Sequence, residues 1–103
     1  MADYKLRNDT REDLIRIHQH EVQKFGMKQA DRYFHAFFEC FQRIDENPFQ
    51  FESAAHIRTG YRRCVCGVDS IYYRINQDTV EIISIVGRQD IDQIKNTPVA
   101  DNA

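Results

Sequence analysis

Little in this 103-residue chain supports several common kinds of protein. Only four glycines are present, so no glycine-rich loop of the phosphate-cradling type can be written. No apolar run approaches the about 20 residues that a membrane-crossing helix needs. The longest, residues 82–86, is interrupted by Ser84 and has strand length. Charge of one sign is also missing. Fourteen Lys and Arg face sixteen Asp and Glu for a formal net charge of −2, whereas a chain that seizes a nucleic-acid backbone usually carries a basic excess. Any basic patch must therefore be local. Three cysteines cannot all pair within the chain, and with no secretory apolar segment the expectation is reduced thiols in a soluble cytoplasmic protein.

What is present suffices for one modest core, since 42% of residues are hydrophobic and 12% aromatic. Tyr4-Lys5-Leu6-Arg7 alternates as a short half-buried strand does. Thr10 has the character of a helix N-cap, with Asp13 completing a carboxylate version of the capping box. Leu14, Ile17, Val22 and Phe25 follow at roughly helical spacing, and Gly26 closes the helix. A second helix is expected over residues 28–45. Ala30, Tyr33, Phe34, Phe37, Phe41 and Ile44 form its apolar stripe, flanked by Phe38 and Cys40. Asn47-Pro48 ends it. With so little chain between them, the two helices should lie antiparallel.

Residues 49–59 show neither period and read as a loop, with a helical turn around residues 53–57. Three strands are expected at 61–66, 69–75 and 79–86. Gly67 and Asn76-Gln77-Asp78 are turns short enough to demand antiparallel hairpins. The expected architecture is α+β: an N-terminal strand and a two-helix hairpin packed on a small antiparallel sheet, in one domain over residues 1–90. Residues 91–103 read as a flexible tail.

The candidate sites are few. Cys64 and Cys66 share one face of a strand, but a zinc site needs about two more ligands, and buried inert thiols are the simpler reading. His18 and His20 lie about 200° apart on their helix, and His35 has no visible partner. Ser70 and Ser84 lack a nucleophile elbow, and Asp45-Glu46 reads as solvated charge at a helix end. No catalytic residue, metal or cofactor is expected.

The arginine–tyrosine set is the stronger candidate: Tyr61, Arg62, Arg63, Tyr72, Tyr73, Arg74 and Arg88. On the middle strand Ile71, Tyr73 and Ile75 alternate with Ser70, Tyr72 and Arg74, so one face goes to the core and the other shows a hydroxyl, a ring and a guanidinium. Such a face can bind phosphates and stacked bases, or an acidic partner. It can equally be a solvated sheet face with ordinary cross-strand pairs.

Over about residues 3–90 the chain resembles the RelE/ParE superfamily of toxin–antitoxin toxins, and its ParE branch most. The resemblance is carried by the opening YKL strand, TREDLIRI, the Phe25-Gly26 hinge, ADRYFHAFFECF, the ENP helix stop, GYRRCVCGVDSIYYRI and VEIISIVGRQD, in that order. It implies a toxin that inhibits DNA gyrase by stalling its cleaved-DNA complex, and a cognate antitoxin whose flexible segment wraps it in a hetero-oligomer. Tyr61, Arg62, Arg63, Tyr72, Arg74 and Arg88 would meet antitoxin or gyrase, without sequence-specific nucleic-acid binding. RelE relatives instead cut mRNA on the ribosome, with basic residues and a late Tyr or His. Here no Lys, His or Tyr follows Gly87 before Lys95, and arginine is a poor proton shuttle. Contact rather than chemistry is the expected mode. An RelE-like endonuclease, or a degenerate member that only binds antitoxin, are the alternatives.

Overall fold

The computed structural model describes residues 4–87. The tail proposed for residues 91–103, and Arg88, lie outside the described residues. The elements are β1 (Tyr4–Leu6), α1 (Asn8–Phe25), α2 (Met27–Glu46), β2 (Glu52–Ser53), β3 (Arg62–Cys66), β4 (Asp69–Asn76) and β5 (Thr79–Gly87). They form one five-stranded sheet in the order β1-β5-β4-β3-β2, with both helices on one face.

The helical hairpin turns on one residue. Gly26 adopts φ 90° and ψ 166°, a region essentially restricted to glycine. Its N–H donates to Val22 O at 2.9 Å and its carbonyl accepts from Ala30 N at 3.1 Å. From α2, Phe37, Phe41 and Ile44 are buried against Ile71, Tyr73, Ile82 and Ile85 of the sheet, while α1 adds Leu14 and Ile17. Each such side chain contributes roughly 1.5–3 kcal/mol of burial free energy. Phe25, expected on the buried face, is 58% exposed at the hairpin tip, because the turn at Gly26 carries it past the sheet.

Three local expectations change. The β3-β4-β5 meander is antiparallel as expected, but β1 joins it parallel to β5, pairing Tyr4 with Val80 and Leu6 with Ile82. The sheet is therefore mixed. The stretch expected as a loop holds β2, which pairs Glu52 with Arg63. After it, Ile57 N donates to Ala54 O at 2.9 Å in a single turn. Thr10 is no cap: α1 begins at Asn8, and the fully buried Thr10 hydroxyl donates to Ile82 O at 2.9 Å.

Along β5 the pairing slips between Tyr72↔Ser84 and Tyr73↔Ile82, leaving Ile83 as the extra residue of a bulge. Strict alternation from Val80 and Ile82 would send Ser84 inward and Ile85 outward. The bulge reverses them, so Ile85 is 1% exposed in the core.

Candidate functional site

Strand register decides what the arginine–tyrosine set becomes. Arg62 pairs with Tyr73 and Arg63 with Tyr72, so successive arginines project to opposite faces. Arg62 turns to the helix side, where its Nη1 donates to Phe51 O at 2.7 Å and its guanidinium lies 5.2 Å from the centre of the Phe49 ring. It holds the segment joining α2 to β2. Tyr73 is fully buried in the core, its hydroxyl donating to Pro48 O.

On the outer face, Tyr61, Arg63, Tyr72 and Arg74 come together. Arg63 Nε donates to Ser70 Oγ at 2.9 Å, and its Nη1 meets Glu52 Oε1 at 3.1 Å. Arg74 Nε meets Glu81 Oε1 at 2.6 Å. Exposed pairs of this kind are screened by solvent and contribute little, so a partner's carboxylate can displace them at little cost. The Arg74 guanidinium holds the Glu81 carboxyl below the usual carboxylate range.

Tyr72 departs from expectation. It was expected to display its ring, but Ala54 and Val86, with Ile57 and Tyr61, cover it to 4% exposure. The turn after β2, expected around residues 53–57 but not as cover for Tyr72, supplies Ala54 and Ile57. Burial raises the Tyr72 phenol pKa, which the Arg63 charge partly offsets. Tyr72 therefore supports the outer face instead of presenting itself. The face available to a partner is Tyr61, Arg63 and Arg74, and Arg88 lies beyond the described residues.

A second cluster lies on the helix side, at the β3-β4 hairpin. The free thiols of Cys40, Cys64 and Cys66 are all buried. Arg43 Nη2 donates to Cys40 Sγ at 3.1 Å. Hydrogen bonds from Cys64 and Cys66, then the Arg43 interaction, hold the Cys40 thiol well below its ordinary pKa despite burial. The same contacts, with burial, push Cys64 and Cys66 up. The sequence pointed to Cys64 and Cys66. It missed Cys40 and Arg43, whose i, i+3 spacing on α2 is a signal only once the helix is docked on β3. Among the described residues, no group of three or more His, Cys, Asp and Glu is placed to hold a metal ion, and no helix is long and apolar enough to cross a membrane.

Next to these thiols, Tyr33 Oη lies 2.6 Å from Asp69 Oδ2 and 2.9 Å from Cys66 O. Burial, then the Asp69 carboxylate, raises the Tyr33 pKa. Gly67 sits under that ring at φ 61°, where a Cβ would come within 2.7 Å of it.

A helical hairpin on one face of a five-stranded mixed sheet fits the α+β, two-helix fold that the RelE/ParE resemblance implies. The family model for the ParE toxin of type II toxin–antitoxin systems (parDE) matches residues 4–92, and the chain belongs to that family. It is 31% identical over 86 residues to Toxin ParE1 of Caulobacter vibrioides, covering 84% of this chain and 88% of that protein. Identity to Toxin ParE1 of Mycobacterium tuberculosis is 26% over 72 residues, covering 68% and 74% respectively. A solved structure titled "Chromosomal ParDE TA system from P. aeruginosa" superposes with a TM-score of 0.75 at 18% identity. It covers 82% of this chain and 94% of that one, a likeness of fold.

Proposed function

We propose that this ParE toxin acts by contact, binding DNA gyrase and stalling its cleaved-DNA complex, and that a cognate antitoxin silences it by covering the toxin. Membership of the ParE family supports the reading, and one observation on this chain carries the preference for holding over cutting. The phenol beside the Arg63 guanidinium, Tyr72, is buried and its pKa is raised, so it keeps its proton near neutral pH. Efficient general acid–base groups have pKa values near the working pH, and a guanidinium is a poor proton shuttle. In this reading Tyr61, Arg63 and Arg74 receive acidic groups of a partner, exchanging the internal Glu52 and Glu81 pairs for intermolecular ones.

Purified protein added to gyrase and supercoiled plasmid should accumulate cleaved-DNA complexes, and the antitoxin encoded beside it should abolish the effect. Intact gyrase activity at a large excess of toxin would reject the proposal. Codon-proximal mRNA cuts on induction, read by primer extension, would replace it with ribosome-dependent cleavage.

A further inference from the structure

The thiol cluster has no part in that reading. The last turns of α2 cross β3 so that Cys40 meets Cys64 and Cys66. The meeting point lies at the floor of an open cleft of about 460 Å³ lined by Ala36, Glu39, Cys40, Arg43, Cys66 and Gly67, among others. Cys40 and Cys66 both line this cleft. Cys64 does not, and its Sγ lies 3.9 Å from Val65 O. Two cysteines distant in sequence thus share one wall of the cleft, exposed there by only 4% and 5%, with a guanidinium 3.1 Å from one of the sulfurs.

We propose that Cys40 is a peroxide-reactive thiol and Cys66 its resolving partner, so that a small hydroperoxide entering the cleft converts the pair into a disulfide joining α2 to β3. The thiolate is the nucleophile in such chemistry, and a neighbouring cation raises its population. Arg43 supplies the cation at 3.1 Å, and Cys64 and Cys66 stand beside the same sulfur. The other charged groups at the cleft are Glu39 and Glu46 on its wall and Asp69 beside Cys66.

In the first step, the Cys40 thiolate attacks the O–O bond of hydrogen peroxide. Cys40 becomes a sulfenic acid, and the departing hydroxide takes up a proton to leave as water. In the second, Cys66 attacks the sulfenic sulfur, the S–O bond breaks, and the Cys66 proton leaves with the hydroxyl as a second water. Two thiols are oxidised and one peroxide is reduced to two waters. The cross-link pins α2 to the β3-β4 hairpin, where the reduced protein relies on packing and on the Tyr33 hydrogen bonds to Cys66 O and Asp69.

The test treats the full chain with hydrogen peroxide and follows it by intact mass and peptide mapping. The expected product has lost two hydrogens and yields a Cys40–Cys66 linked peptide. Cys64→Ser should leave that product intact. Cys66→Ser should stop the reaction at a sulfenic acid that dimedone traps on Cys40, a result that does not require any change at position 40. Arg43→Gln should slow peroxide consumption about tenfold and move the pH midpoint of Cys40 alkylation upward. A purely structural role for Arg43 would not move that midpoint. A Cys40–Cys64 link, dimedone on a cysteine other than Cys40, or an unmoved alkylation midpoint would each overturn the assignment. So would retention of all three thiols in excess peroxide.

Discussion

Asp13 of α1 accepts the backbone N–H of Ile85 at 3.0 Å through Oδ2, across 72 residues of sequence. β1 covers only Val80 to Ile82 of β5. Beyond it, the edge of β5 is closed by α1: Arg7 N and Thr10 Oγ1 both donate to Ile82 O, and Asp13 takes the next free amide. The first turns of the helix do the work of a longer edge strand.

Removing this acceptor should be costly. Asp13→Ala leaves a part-buried amide without a partner, for which about 1–3 kcal/mol is expected. Asp13→Asn keeps an acceptor oxygen and should lose less. Urea denaturation of the two variants checks the order.

Gly67→Ala meets two obstacles, a left-handed backbone and the Tyr33 ring. The backbone alone costs about 1–2 kcal/mol, and the ring adds to it because Asp69 holds its hydroxyl. In a Tyr33→Leu background the same glycine substitution should cost less. A double-mutant cycle by denaturant melts would show that coupling, and strictly additive effects would exclude the ring contact.

Alkaline pH should weaken the fold through its buried phenols. Tyr73 is pushed up by burial to about 12, and Tyr33 is raised as well. A phenol whose pKa is higher folded than unfolded stabilises fully below about 10, the unfolded value. That contribution is lost as pH rises from there through the folded value, at up to ~1.4 kcal/mol per pH unit for each group. Tyr73→Phe should flatten the fall in urea midpoint above pH 10.

The Arg74–Glu81 pair has the opposite sign. Because the Glu81 pKa is depressed when folded, its contribution is present above the ordinary carboxylate range and is lost as pH falls through the lower folded value. The small stability gap between the natural protein and Arg74→Gln should close in acid, and also in high salt. NMR titration of Glu81 should show its pKa returning upward in the variant.

The two adjacent arginines should separate structure from binding. Arg63→Glu should reduce gyrase poisoning about tenfold with a minor change in thermal midpoint, as a rim charge reversal does. Arg62→Ala should lower the thermal midpoint instead, since Arg62 holds the carbonyl of Phe51. Equal losses of potency from both would remove the outer face from the proposed interface.

Much of this was written locally. The apolar stripe from Ala30 to Ile44 marked α2 and its buried face, and Gly67 and the Asn76-Gln77-Asp78 turn marked the hairpins. The outward turn of Arg74 was legible from alternation along β4, whereas only the strand register separated Tyr61 and Arg63 from Arg62. Arg62 and Tyr72 were misread because the segment that engages both, residues 49–57, has no period of its own. Its two-residue strand exists only because β3 offers an edge to pair with.

The sequence by itself determined helices, turns and the antiparallel meander, because those follow from the spacing of apolar side chains and from backbone limits at glycine, proline and asparagine. Tertiary structure decided the parallel seating of β1, the bulge at Ile83, the cover over Tyr72 and the meeting of Cys40 with Cys66. Each of these depends on hydrogen-bonding edges and volumes contributed by segments distant in the chain, and no local pattern records what a distant segment will leave unfilled.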